Sequence, residues 1–215
     1  MSAGRPDPDR GDGHRRGLLV DFGGVLTTNV FESFRAFCEA EGLEPDAVKS
    51  LFRERGEGLA LLRQLEKGEL EVDEFSERFA PLLGVREVDG LVDRLFAGVI
   101  PDEPMIEAVR SAHRKGVPTG LISNSWGGTT YDHSLIEELF DGVVISGEVG
   151  LHKPEPEIFR LGAERIGVAP ERCVFVDDLR ENCEGAEAVG MTAILHRGAE
   201  GTVPELERLL AVGLR

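Results

Sequence analysis

Two short apolar runs, each ending in acid, constrain this chain more than any other feature. The first is Gly17-Leu18-Leu19-Val20, closed by Asp21 and followed by Phe22-Gly23-Gly24. The second, far downstream, is Cys173-Val174-Phe175-Val176, closed by Asp177-Asp178. Neither run is interrupted by a charged residue, which suits strands covered on both faces, as in a parallel sheet with helices on each side. The carboxyl edge of such a sheet is where ligands bind. If the two strands lie side by side, Asp21, Asp177 and Asp178 converge there, and like charges that close resist joint ionisation unless a cation offsets them. Magnesium meets that need, since it takes oxygen ligands and is commonly held by one or two carboxylates together with substrate phosphate. A plainer reading of Asp178 stays open, because with Glu181 it also has the spacing of a helical capping box.

Further residues follow in an ordered series. Ser123-Asn124 comes after the apolar Thr119-Gly120-Leu121-Ile122, Lys153 lies in Leu151-His152-Lys153-Pro154-Glu155-Pro156, and Asn182 and Gly185-Ala186 follow the paired acids. Taken in order with Asp21, these segments resemble the motifs of the haloacid dehalogenase-like (HAD) hydrolases, most of which are phosphatases acting through an aspartyl-phosphate. The resemblance runs from about Gly17 to Leu210. It implies that Asp21 is the nucleophile, that Ser123 is the hydroxyl of the second motif, and that Lys153 is the lysine of the third. Mg2+ would sit on Asp21, Asp178 and the Gly23 carbonyl, with Asp177 as a further ligand or as support. Phosphoryl oxygens would be held by Ser123, Asn124, Lys153 and the backbone amides of Phe22 and Gly23. One position departs from the pattern: many family phosphatases carry a second aspartate where this chain has Gly23. A side chain there would be resisted if the backbone has positive φ.

The 215 residues allow one domain, or a core with one insert, and 41% hydrophobic residues suffice for a substantial core. A formal charge of −16 argues against nucleic acid or an anionic membrane as a partner. An anionic substrate then needs a local positive site. No apolar run has the length of a membrane span, and no signal-like segment follows the first residues, so the expected location is the cytoplasm. Cys38, Cys173 and Cys183 are odd in number and lack zinc-like spacing, which points to buried thiols rather than disulfides.

Residues 1–16, rich in Gly, Pro, Asp and Arg, read as a disordered tail. Residues 17–30 and 99–215 read as a Rossmann-like α/β core, with helices and strands alternating from Pro101 onward. Residues 31–98 read as a helical insert, with segments at Phe31–Gly42, Pro45–Arg55, Leu59–Glu66, Val72–Leu83 and Val88–Ala97. Its phenylalanines recur at helical spacing and are expected to form its interior. In the resembled family such an insert is a cap over the active site. Arg53, Arg55 and Arg63 read as solvated cations, with a substrate contact from one of them left open. The last core helices are expected after Asn182 and from Val203 to Leu210. The resemblance implies that the first strand lies at the sheet centre, between the strands ending in Ser123 and Asp177.

Three functions fit: a magnesium-dependent phosphatase on a small phosphorylated metabolite, a non-catalytic binding protein that lost its acid at Gly23, and a metal-independent dehalogenase. Paired acids disfavour the last, because they suit a cation and not a halide. Neither substrate identity nor oligomeric state is written in the sequence.

Overall fold

The computed structural model describes residues 16–126 and 131–214. Five strands, β1 (Gly17–Val20), β2 (Thr119–Ser123), β3 (Gly142–Ile145), β4 (Cys173–Asp177) and β5 (Thr192–Leu195), form one parallel sheet in the order β3-β2-β1-β4-β5. β1 is therefore central, as expected, with Leu18 opposite Thr119 on one side and Gly17 opposite Cys173 on the other. The tail expected over residues 1–16 lies, apart from Arg16, outside the described residues.

Side chains alternate across a strand, and β1 uses both faces for burial. Leu18 and Val20 join an apolar cluster with Met105, Val109, Leu139 and Leu206, whereas Leu19 joins another with Ile158, Phe159, Phe175 and Ala186. Helices α6 (Glu103–Arg114), α7 (His133–Leu139) and α11 (Ala199–Leu210) thus cover one face, and α9 (Pro156–Arg165) and α10 (Arg180–Ala188) the other. A one-turn helix, α8 (Ser146–Val149), follows β3 directly. The uniformly apolar strands and the three-layer α/β/α fold are thus two views of one constraint.

Between β1 and α6 run five more helices: α1 (Val30–Glu41), α2 (Ala47–Arg53), α3 (Glu57–Glu66), α4 (Val72–Leu83) and α5 (Leu91–Phe96). They enclose a separate apolar cluster built from Phe34, Phe37, Phe52, Phe75, Phe79 and Leu61. Phe52 and Phe75 stack on Phe79 with ring centroids 4.8 and 5.0 Å away. Gly42 and Gly84 end α1 and α4 in the left-handed conformation, at φ 70° and 75°, which is where glycine is most useful as a cap. The chain leaves and re-enters the sheet-bearing part along one seam, where Thr27 bridges Pro101 and the Thr28 amide donates to the Ile100 carbonyl.

The insert helices shift by up to three residues from expectation, and two core helices start earlier than expected. α10 begins at Arg180, so Asn182 lies in its first turn and not before it. α11 begins at Ala199 and continues through Pro204, because burial of Thr202, Leu206 and Leu210 outweighs the one amide that proline removes.

Candidate active site

β1 and β4 end side by side, and this alone brings the acids together. Oxygens of Asp21, Asp177 and Asp178 lie within 4.8 Å of one another. Lys153 enters from the loop before α9, and its ammonium lies 2.8 Å from Asp21 Oδ1 and 2.8 Å from Asp177 Oδ2. That ammonium is fully buried, a position a lysine tolerates only when paired.

The two paired acids are not equivalent. Asp177 is wholly buried, and both its oxygens are engaged: Oδ1 accepts from the Leu179 amide at 2.8 Å and from Asn182 at 3.0 Å, while Oδ2 accepts from Lys153 and from Asn182 at 3.1 Å. Asp178 is only half-buried, and its carboxylate faces Gly24. The helical capping box does not form. Leu179 holds the cap position of α10 without a side-chain cap bond, and the amide of Leu179 goes to Asp177 instead of Asp178.

Charge crowding shows in the proton affinities. Burial pushes the Asp21 carboxyl up to about 8 against the pull of Lys153, with Asp177 and Asp178 adding to the push. Burial, helped by Asp177, lifts Asp178 to about 6. For Lys153 the effect of Asp177 and Asp21 wins over burial, which acts in the opposite direction, and the ammonium is held more firmly than usual. Three carboxylates and one ammonium leave the site short of positive charge, and a hard cation among oxygen donors corrects the deficit. The donor set therefore fits a magnesium ion.

The remaining expected residues fall around this centre. The Phe22 amide donates to Asp21 Oδ1 at 2.7 Å. Ser123, at the end of β2, accepts a bond from the Tyr131 hydroxyl at 2.9 Å. Asn124 spends its side chain on the Lys153 main chain, with Oδ1 accepting from Lys153 N at 2.9 Å and Nδ2 donating to Lys153 O at 3.1 Å. It is a clamp on the lysine loop.

Gly23 does not have positive φ; Gly24 does, at 75°. A Cβ at Gly24 would come within 2.6 Å of Asp178 Oδ2, whereas one at Gly23 meets only Val30 Cγ2, at 3.2 Å. The second glycine is thus required by the fold, and the first leaves limited room for a side chain.

Three contributors were not anticipated from sequence. Tyr131, the single tyrosine of the chain, also packs edge-on against Phe22 at 4.7 Å. His152 and Glu66 tie α3 to the lysine loop: Asn124 lies 3.3 Å from His152 Nδ1, and His152 Nε2 lies 2.7 Å from Glu66 Oε2. Beside them Lys67 pairs with Glu155 at 2.7 Å, and Ser146 bonds the Glu66 carbonyl. The only local signal was His152 preceding Lys153; Glu66 is distant in sequence and invisible to any short motif.

Known proteins share both sequence and fold with this chain. A family model described as haloacid dehalogenase-like hydrolase matches residues 16–190. The bifunctional epoxide hydrolase 2 of Rattus norvegicus is 29% identical over 115 residues, covering 50% of this chain and 21% of that protein. The fructose-1-phosphate phosphatase YqaB of Escherichia coli (strain K12) is 32% identical over 111 residues, 51% of this chain and 59% of that one. The matched segment is thus about a fifth of the first relative's length and less than two thirds of the second's. Among solved structures, a HAD family enzyme from Bacteroides thetaiotaomicron, in complex with magnesium and inorganic phosphate, superposes with a TM-score of 0.63 at 22% identity over 86% of this chain and 96% of the other. Among the described residues no helix is long and apolar enough to cross a membrane.

Proposed function

Since the chain belongs to the haloacid dehalogenase-like hydrolase family, we propose that it is a magnesium-dependent phosphatase acting on a small phosphorylated metabolite through an aspartyl-phosphate. The observation that carries this reading is the buried Lys153, gripped at 2.8 Å by Asp21 and by Asp177 beside the half-buried Asp178. The phosphatase activity of the Escherichia coli relative and the magnesium and phosphate bound by the structural neighbour agree with it.

In this reading Asp21 attacks phosphorus, its Oδ–P bond forming as the bond to the leaving oxygen breaks, and water later hydrolyses the acyl-phosphate. Lys153 offsets the charge that gathers on the phosphoryl oxygens, with Ser123 and the Phe22 and Gly23 amides as further donors. Asp177 has no oxygen left to offer, so its part is to aim Lys153. Asp21, Asp178 and the Gly23 carbonyl would hold the magnesium, which when bound supplies the positive charge that lets a carboxylate approach a phosphate. Tyr131 orients Ser123, and Asn124 fixes the lysine loop. The helices from α1 to α5 act as a cap over the site, excluding water and selecting substrate. The missing acid at Gly23 favours a second reading, a binding protein that keeps the site without turnover.

A screen of sugar phosphates, nucleotides, aryl phosphates and halogenated acids, with magnesium and with chelator, separates these readings. Magnesium-dependent phosphate release is expected; no turnover of any compound, with magnesium still bound, selects the binding protein. Calorimetry should show magnesium affinity falling at least about tenfold in Asp178→Asn, in line with the loss of one charged ligand. Equal affinity in that variant would remove Asp178 from the ligand set.

Gly23 sets a further expectation. Positioned acid catalysis is worth roughly 10²–10⁴-fold, and without an acid at this position the leaving group must depart unprotonated. Turnover should therefore fall steeply as leaving-group pKa rises, with aryl and acyl phosphates far ahead of alkyl phosphates. Gly23→Asp should narrow that gap, since the backbone there is unstrained and only Val30 has to give way. A flat dependence on leaving-group pKa in the parent would mean another residue supplies the proton.

A further inference from the structure

Beside Asp178 a cavity of about 310 Å³ opens between α2 and the carboxyl edge of the sheet. Its charge is opposite to that of the molecule. The chain has 40 acidic residues to 24 basic ones, yet the cavity is lined by the cations Lys49, Arg53, Arg180 and Arg197 against only Asp178 and Glu181. Asp178 is already assigned to a metal, which leaves the wall more positive still.

Three of these cations, Lys49, Arg53 and Arg197, are held in place by contacts other than ion pairs. Lys49 and Arg53 lie one turn apart on α2, both over the ring of Phe31, at 5.7 and 5.0 Å from its centroid. An aromatic face positions a cation while leaving its N–H donors free to turn elsewhere. Among the described residues no ion pair engages Lys49, Arg53 or Arg180, whereas Arg35, Arg78 and Arg94 of the neighbouring helices each have a carboxylate. Arg197 donates through Nη1 to the Asp178 carbonyl at 2.9 Å and to the His196 carbonyl at 3.1 Å, which fixes it beside the site. A guanidinium has five N–H donors, so two such bonds leave others to offer. Of the three arginines noted in this stretch, Arg53 lines the cavity; Arg55 and Arg63 do not.

We infer that the substrate carries, besides the phosphoryl group presented to Asp21, a second anionic group, a carboxylate or another phosphate, which this cavity receives between Arg53 and Lys49 on one wall and Arg197 and Arg180 on the other. The inference deepens the phosphatase reading and rests on it. A phosphate ester with an uncharged leaving group fills the phosphoryl site equally well but brings no anion to these four cations. Charged hydrogen bonds of this kind are worth roughly 10–100-fold in binding. Discrimination between one anionic group and two is therefore set by the helical unit and the edge of the core acting together.

The test uses aryl phosphates with matched leaving groups: 4-ethylphenyl phosphate, and the same ring carrying a carboxymethyl or a phosphonomethyl group in place of ethyl. In the full-length protein with magnesium, kcat/KM should favour at least one doubly anionic ester by about tenfold or more, mainly through KM. In Lys49→Ala/Arg53→Ala that preference should shrink toward unity, and Arg53→Lys should keep part of it. Arg78→Ala, an exposed change elsewhere on the helices, should keep all of it. Equal kcat/KM for all three esters in the parent overturns the inference while leaving the phosphatase reading intact. A preference that survives in Lys49→Ala/Arg53→Ala takes the second anion away from these cations and overturns it too. No hydrolysis of any ester overturns the phosphatase reading, and the inference with it.

Discussion

Asp21→Asn should lose turnover by at least roughly 10⁴-fold, the scale on which removing a covalent nucleophile acts, while the protein stays folded. The substitution changes almost no volume. An amide oxygen at the Oδ1 position can still accept from the Phe22 amide, now at 2.7 Å, and from Lys153, now at 2.8 Å. It also removes one of three crowded carboxylates, so far-ultraviolet circular dichroism and the melting temperature should remain close to the parent. Rapid-quench measurements in the parent should detect a phosphorylated protein that the variant never forms. If the variant retained turnover near the parent rate, Asp21 would be a metal ligand and nothing more, and attack by a free water would replace the covalent path.

Lys153→Met is the second large effect, and it acts on two observables at once. Turnover should fall by about 10²–10³-fold, as when one preorganised electrostatic donor is removed. Stability should fall as well, because Asp177 is wholly buried and Asp21 nearly so, and both lose the cation 2.8 Å away. Removing one partner of a buried ion pair costs about 3–5 kcal/mol. Proton uptake by Asp21, whose carboxyl is already pushed up to about 8 by burial, lowers that cost. Methionine keeps the length of the stem, so any loss is one of charge and not of packing. Chemical denaturation reads the stability, and added magnesium should restore part of it by binding the folded form alone. Turnover within about threefold of the parent would make Lys153 a structural counter-ion without a part in the chemistry.

Much of the site could be read from the chain because strands advertise themselves. Gly17–Val20 and residues 173–176 are apolar throughout, so their burial on both faces in a parallel sheet follows from composition, whereas their pairing and the meeting of their terminal acids come from the family resemblance. Lys153, Ser123 and Asn182 were visible only through motif order, since nothing in local spacing tells a buried lysine from an exposed one. What escaped depends on contacts across distant segments. The sequence leaves open the plainer reading of Asp178 as a helix cap, and the Leu179 amide goes instead to Asp177 at the end of β4. Asn124 reads from sequence as a phosphate contact, and no local motif announces that its amide is matched to the Lys153 main chain. The link from Glu66 to His152 joins residues from two separate parts of the fold. The hazard attached to Gly23 belongs to Gly24, since which of two adjacent glycines has positive φ is decided by the turn and not by the dipeptide.

The central place of β1 also has a bearing on how the chain folds as it is made. β1 is made well before either of its neighbours, of which one starts at Thr119 and the other at Cys173. Both pairings are long-range, and such contacts form late. Until β4 emerges, the first strand has one open edge and Asp21 has neither Asp177 nor Asp178 beside it. The helices from α1 to α5 have a core of their own and mostly local contacts, so they can collapse ahead of the sheet on either side of them. A nascent chain cut short before Cys173 would expose an apolar strand edge, the kind of surface on which chains associate, and would lack two of the three clustered acids. The acid cluster is therefore completed in one step, when the fourth strand closes against the first.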